Sequence, residues 1–159
     1  MIRSALLLLV SFFAFTACEQ QRDPCLEPKL VSLKIAALRV LPDSSFTDTL
    51  VPKPYWTALA DSPFTIAFPP RSNRFGLILS PHTDSCRYLF YPDSLTSLPD
   101  TVTFLYNREL EFLSNACGFT WFFQLKDIRT TRRHLDSARI IDAEVNQNAS
   151  TPEHVQIYM

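Results

Sequence analysis

The sequence predicts an all-β domain, a single antiparallel β-sandwich of immunoglobulin-like or similar kind. Three observations carry that reading. Short runs of apolar–polar alternation recur along the chain, separated by Pro, Asn, Asp and Ser, which is the spacing of a sandwich or barrel. Proline is common and glycine rare, 12 against 2 in 159 residues. That balance opposes long helices, and it opposes phosphate-cradling loops as well. Aromatics form 13% of the chain, enough with Leu, Ile and Val to build a core and to exclude a disordered polypeptide.

Each element follows from its own pattern. In "KLVSLKIAALRVL" (29–41), Val31, Leu33, Ile35 and Ala37 fall on one side, with Ser32 and Lys34 on the other, as in a half-buried strand. The stretch from Pro42 to Pro63 reads as loop in which Tyr55 and Trp56 pack. Further strands are expected in "PFTIAF" (63–68), "RFGLILS" (74–80), "CRYLFY" (86–91), "DTVTFLYN" (100–107) and "GFTWFFQL" (118–125). "LDSARIIDAEV" (135–145) and "EHVQIYM" (153–159) complete the set, the last pinning the chain's end in a sheet. "SLTSLP" and "DIRTTRRH" are the two places where a helical turn fits. In "GFTWFFQL", Phe119, Trp121, Phe123 and Leu125 share one face and Thr120 and Gln124 the other. Phe122 is thereby left on the polar side, and either Tyr88 or Phe90 faces the unexpected side of its strand. A second buried face explains both; an exposed aromatic patch for a partner or glycan is the functional alternative.

The N-terminal segment has a different logic. Arg3 precedes an apolar run from Ala5 to Phe15, well short of the roughly 20 residues that a spanning helix requires. A charged start, a short apolar core and small residues at the end are the plan of a secretory signal peptide. The stretch Phe15-Thr16-Ala17-Cys18 resembles the bacterial lipobox, with Phe15 where Leu is usual. The resemblance implies cleavage before Cys18 and a lipidated Cys18 as the mature first residue. One acyl chain binds a bilayer only marginally, whereas several anchor it stably. Glu19, rather than Asp, follows the cysteine, which favours the outer membrane over the inner. The expected organisation is a lipoprotein signal peptide over 1–17, a lipidated tether over 18–28 and a β-sandwich over 29–159.

Charge and chemistry exclude more than they assert. The formal net charge is −1, and no basic stripe exists to track a phosphate backbone, so nucleic acid is not an expected partner. Cys25, Cys86 and Cys117 follow the anchor cysteine in a disulfide-permissive compartment. Three cysteines allow one bridge and leave one thiol over. His82, His134 and His154 have no spacing suited to a metal site and are expected to be solvent-exposed. No nucleophile elbow frames a serine, so no catalytic residue, metal or cofactor is assigned. Glu109/Glu111 and Asp142/Glu144 are pairs at i, i+2, able to do acid–base work in principle and more simply read as solvated strand faces. Arg129, Arg132, Arg133 and His134 form a basic cluster able to meet anionic headgroups, again more simply a solvated turn.

The lipobox cysteine, a second cysteine soon after it, "FLSNACGF", "RRHLDSARIIDAEV" and the closing "EHVQIYM" together resemble a family of small uncharacterised lipoproteins of Gram-negative bacteria, a domain of unknown function. The resemblance covers nearly all of the chain beyond residue 17. It implies that Cys25 and Cys117 recur as a pair and form a disulfide, with Cys86 left as a buried thiol. It brings no activity. Two expectations follow. The first is a non-catalytic binding or structural module, held at the outer membrane by its lipid and partnered by an envelope protein. The second is a small envelope hydrolase with a non-local active site. Asp48-Thr49-Leu50, Asp93-Ser94-Leu95, Asp100-Thr101-Val102 and Asp136-Ser137-Ala138 resemble the acceptor motif of a bacterial O-glycosylation system. Thr49 and Ser94 stand in loops and are the preferred acceptors; turn chemistry at strand entries produces the same triplets.

Overall fold

Alternation becomes strand almost wherever the sequence shows it. The structure, a computed structural model, describes residues 24–27, 30–60, 62–95, 98–148 and 150–159. The signal-peptide segment, Cys18 and the tether up to residue 23 lie outside these. The described strands are β1 (Ser32–Val40), β2 (Phe46–Asp48), β3 (Tyr55–Ala58), β4 (Phe64–Ala67), β5 (Arg74–Ile78) and β6 (Ser85–Tyr91). They continue with β7 (Asp100–Ser114), β8 (Gly118–Thr130), β9 (Ser137–Ile140), β10 (Glu144–Val145) and β11 (Val155–Tyr158). No helix occurs among the described residues.

The strands form two sheets that pack together, one curled into a half-barrel. The first runs β2-β1-β11-β9, with β5 also paired to β1; the second runs β10-β8-β7-β6-β3-β4. The pairings are antiparallel except for β1 with β11, which run parallel, Ile35 opposite Val155 and Leu38 opposite Tyr158. A parallel pair needs a long crossover, and here the crossover is the body of the domain itself. The β1 strand has neighbours on both edges: β5 and β2 share one, along Ser32–Ala36 and Leu38–Val40, and β11 takes the other.

The core lies between the sheets. Leu33, Ile35 and Ala37 of β1, Phe75 and Leu77 of β5 and Val155 and Ile157 of β11 face Trp56, Tyr88, Phe90, Val102, Phe104 and Tyr106 of the second sheet. Each of the larger side chains, fully removed from water, contributes roughly 1.5–3 kcal/mol. Trp56 is the centre of an aromatic cluster, 4.6 Å from Phe90 and 5.9 Å from Phe75 between ring centroids. Two tyrosines tie the layers by hydrogen bonds. Tyr88 donates its hydroxyl to the Ile78 carbonyl, and the Tyr106 hydroxyl donates to the Ser80 carbonyl while accepting the Ser80 N–H, each at 3.0 Å.

Several details differ from the expectation. The stretch from Pro42 to Pro63 is loop-rich as expected, but β2 and β3 lie within it, both too short for alternation to register. Residues 127–130 are strand, not a helical turn, since β8 continues to pair with β7 beyond a bulge. There Leu105 faces Asp127 and Tyr106 faces Leu125, leaving Lys126 without an opposite number and twisting the hairpin locally. Tyr88 and Phe90 both point inward and are buried, as i, i+2 neighbours must be; it is Leu89 and Tyr91 that face out. Residues 135–145 make two strands, because the chain crosses there from β9 in one sheet to β10 in the other.

Candidate functional site

The β7–β8 hairpin is longer than the sandwich it serves. Its face alternates Val102, Phe104, Tyr106, Arg108, Leu110 and Phe112 on β7. Through Tyr106 these side chains are buried; Leu110 and Phe112 are 51% and 53% exposed. Across the hairpin, Leu110 pairs with Trp121 and Phe112 with Phe119, and Phe119 is 61% exposed. The Phe112 and Phe119 rings meet edge to face at 5.2 Å, a geometry that suits their quadrupoles. The hairpin therefore ends in an arm that carries the apolar pattern of a core face and leaves its outer half largely exposed.

The arm's turn is closed covalently. Cys117 stands in it, with its N–H donated to the Ser114 hydroxyl at 3.0 Å, and Gly118 follows at φ 74°, a left-handed conformation that glycine takes at little steric cost. Cys117 is disulfide-bonded to Cys25, 92 residues earlier. The N-terminal tether is thus fastened to the far end of the arm before the chain enters the sandwich body at Ser32. Cys86 is the free cysteine among the described residues, and burial pushes its thiol up to about 12, so it is not a thiolate at neutral pH.

At the other end of β7, Asp100 is fully buried. One carboxylate oxygen accepts the Thr131 hydroxyl and the Arg133 N–H, each at 2.8 Å. The other accepts the N–H groups of His134 at 2.7 Å and Leu135 at 3.1 Å. This carboxylate gathers the loop that carries the basic cluster. Arg132, Arg133 and His134 are exposed around it, the His134 ring lies 3.0 Å from the Leu98 carbonyl, and Arg129 pairs with Asp127. The sequence marks Asp100 only as part of a candidate glycosylation triplet. Its role depends on partners more than thirty residues away, and no local pattern signals it.

His154 corrects the expectation that the histidines are solvent-exposed: it is 1% exposed, while His82 and His134 do face solvent. Its N–H donates to the Lys34 carbonyl at 2.8 Å and its Nδ1 accepts the Lys34 N–H at 2.9 Å. Its carbonyl accepts the N–H groups of Ile141 and Asp142, where β9 hands over to β10. Burial holds the imidazole below its ordinary range, against the opposing pull of the Asp142 carboxylate. Lys34 in turn donates its ammonium to the Thr151 carbonyl at 2.7 Å, fixing the segment before β11.

The acid pairs differ: Glu109 and Glu111 keep their i, i+2 positions on β7, whereas Asp142 and Glu144 do not share a strand. Asp142 lies in a turn before β10, not on a strand; it accepts the Glu144 N–H and the Thr151 hydroxyl, each at 3.0 Å, so its role is structural. Glu109 and Glu144 border one cleft of about 660 Å³ along β7, β8 and β10, together with Asp84, Arg108 and Gln124. Arg108 is already engaged, donating to Asp84 at 2.7 Å and to the Pro81 carbonyl at 2.8 Å. No group of three His, Cys, Asp or Glu among the described residues is placed to hold a metal ion. Phe122 is half-buried on the cleft's border. Of the preferred glycan acceptors, Ser94 is exposed in the turn after β6. The Thr49 hydroxyl is buried and has no hydrogen-bond partner among the described residues, which shields it in the folded chain.

Fold and site together define a class: a small all-β sandwich whose longest hairpin is stapled at its tip to the N-terminal segment. The chain belongs to a family of unknown function, DUF6452, whose model matches residues 60–159. The match takes in the arm, the Asp100 loop and the closing strand, and begins after Cys25. No curated protein matches the chain, and no solved structure does.

Proposed function

We propose that this protein is a lipoprotein of the bacterial cell envelope, anchored in the outer membrane through an acylated Cys18. Its β-sandwich then serves as a non-catalytic binding or structural module, presented to an envelope protein partner. The observation that carries the reading is the Cys25–Cys117 disulfide. Disulfides persist in exported proteins and are rare in the reducing cytosol, and this one begins just after the Phe15-Thr16-Ala17-Cys18 stretch. Export, anchor and staple are then parts of one arrangement. The binding half of the proposal draws on the cleft along β7, β8 and β10.

Cys18→Ser tests the anchor. The variant is expected to lose labelling by a clickable palmitate analogue and to leave the membrane fraction. In parallel, the wild-type protein, pulled down from membranes with its lipid in place, is expected to bring a stoichiometric partner. A Cys18→Ser protein that is still labelled and membrane-bound would sink the anchor; a wild-type protein recovered alone would sink the module.

A further inference from the structure

We propose that the tip of the β7–β8 arm docks into the bilayer surface, with Leu110, Phe112 and Phe119 entering the interfacial layer beside the lipid anchor. This rests on the anchoring at Cys18 proposed above. Fully extended, residues 18 to 25 span at most roughly 25 Å. Because Cys25 is bonded to Cys117, that short reach applies to the arm's tip itself. Without the staple the tether would enter the body only at β1; with it, the tip is held within that reach of the anchor.

The chemistry of the tip suits that place. Leu110, Phe112 and Phe119 are more than half exposed and lie on one face with Trp121. Aromatic side chains favour the headgroup level of a bilayer, and apolar groups on an amphipathic surface sink about 5–10 Å into it. The acids of the arm keep to the other side: Glu109 and Glu111 alternate with the apolar residues along β7. Residues 109–120 contain no Lys or Arg, so the attraction is apolar and not a pairing with anionic headgroups. The occupant is therefore the acyl–headgroup boundary of zwitterionic lipid.

The test uses the full lipidated chain reconstituted into phosphatidylcholine–phosphatidylethanolamine vesicles, with and without brominated acyl chains. Phe119→Trp places a reporter indole at the most exposed ring of the patch. Trp121, on the same face, is replaced by Phe in every variant, so that wholly buried Trp56 alone supplies an unquenched background. The expected result is flotation with the vesicles and loss of the reporter's emission in the brominated ones. Adding Leu110→Ser and Phe112→Ser to that variant should keep flotation and restore the emission. Flotation with an unquenched reporter would overturn the docking and leave the anchor standing; the patch would then be open to a protein partner or a second copy. Failure to float would overturn the anchor, and the docking with it.

Discussion

Asp100 and His154 are two polar side chains that the core holds at 0% and 1% exposure, and each replaces a piece of secondary structure. Asp100 supplies acceptors to a loop whose N–H groups have no strand to pair with. Its four donors, two on each oxygen, account for a carboxylate's capacity. Asp100→Asn keeps the shape and exchanges one acceptor oxygen for a donor, which then faces hydrogen-bond donors. Leaving such groups unsatisfied in a buried site is expected to lower stability by about 2–4 kcal/mol, read from urea unfolding of the purified domain. A loss within experimental error would show that the loop is held by something else.

His154 makes the complementary case, since its Nδ1 is needed as an acceptor and its burial resists the second proton. Its folded-state pKa lies below the unfolded one. Above the ordinary histidine range both states are neutral and contribute no pH dependence. Below it the unfolded chain binds a proton that the folded chain refuses, so stability falls as pH falls, until the folded pKa is passed. His154→Asn retains an acceptor for the Lys34 N–H and removes the titration. Thermal unfolding from pH 7 to pH 5 should therefore show a shallower acid loss in the variant; equal slopes would assign the acid sensitivity to other groups.

Among the elements, the β7–β8 hairpin decides most. Its base is core, its middle borders the cleft, and its tip is apolar, exposed and covalently held. The disulfide is expected to act mainly on the unfolded chain, which it closes across 92 residues. Chain-entropy reasoning gives a stabilisation of up to about 4.6 kcal/mol for such a loop. Replacing Cys25 and Cys117 together by serine should lower the unfolding free energy by up to that amount. A peptide map of the native protein under non-reducing conditions should show Cys86 unlinked. A Cys86 peptide bridged to either other cysteine would refute the pairing. The elevated Cys86 pKa also argues against thiol–disulfide exchange in the folded state, because the attacking species is the thiolate.

At the scale of the whole molecule, the first and last described strands lie side by side, and β11 places Val155 and Ile157 in the core that β1 begins. The two sheets are stitched by tyrosine hydroxyls, by the crossing of β9 into β10 and by the continuous apolar layer between them. The all-β class and the inward face of β1 were legible in the sequence, as was the sharing of one face by Phe119, Trp121, Phe123 and Leu125. Each is a local consequence of period-two alternation, and neighbouring residues carry it. The length of the hairpin is legible in part: alternation puts Glu109 and Glu111 on one strand face, but gives no sign that β7 runs on to Ser114 at the tip or β8 to Thr130 at the base.

Three things were settled only by the tertiary structure, and for a common physical reason. His154 is buried because β11 lies against β1, and Asp100 is a loop anchor because the chain from Thr131 to Leu135 returns to it. Leu110, Phe112 and Phe119 stay exposed because the hairpin outgrows the sandwich. In each case the deciding partner lies far away in sequence, so that periodicity, spacing and composition carry no trace of it. The sequence by itself determined which residues alternate, where turns fall and which cysteines are available. Which alternating faces meet, and which one is left open at the end of a stapled arm, was determined by long-range pairing alone.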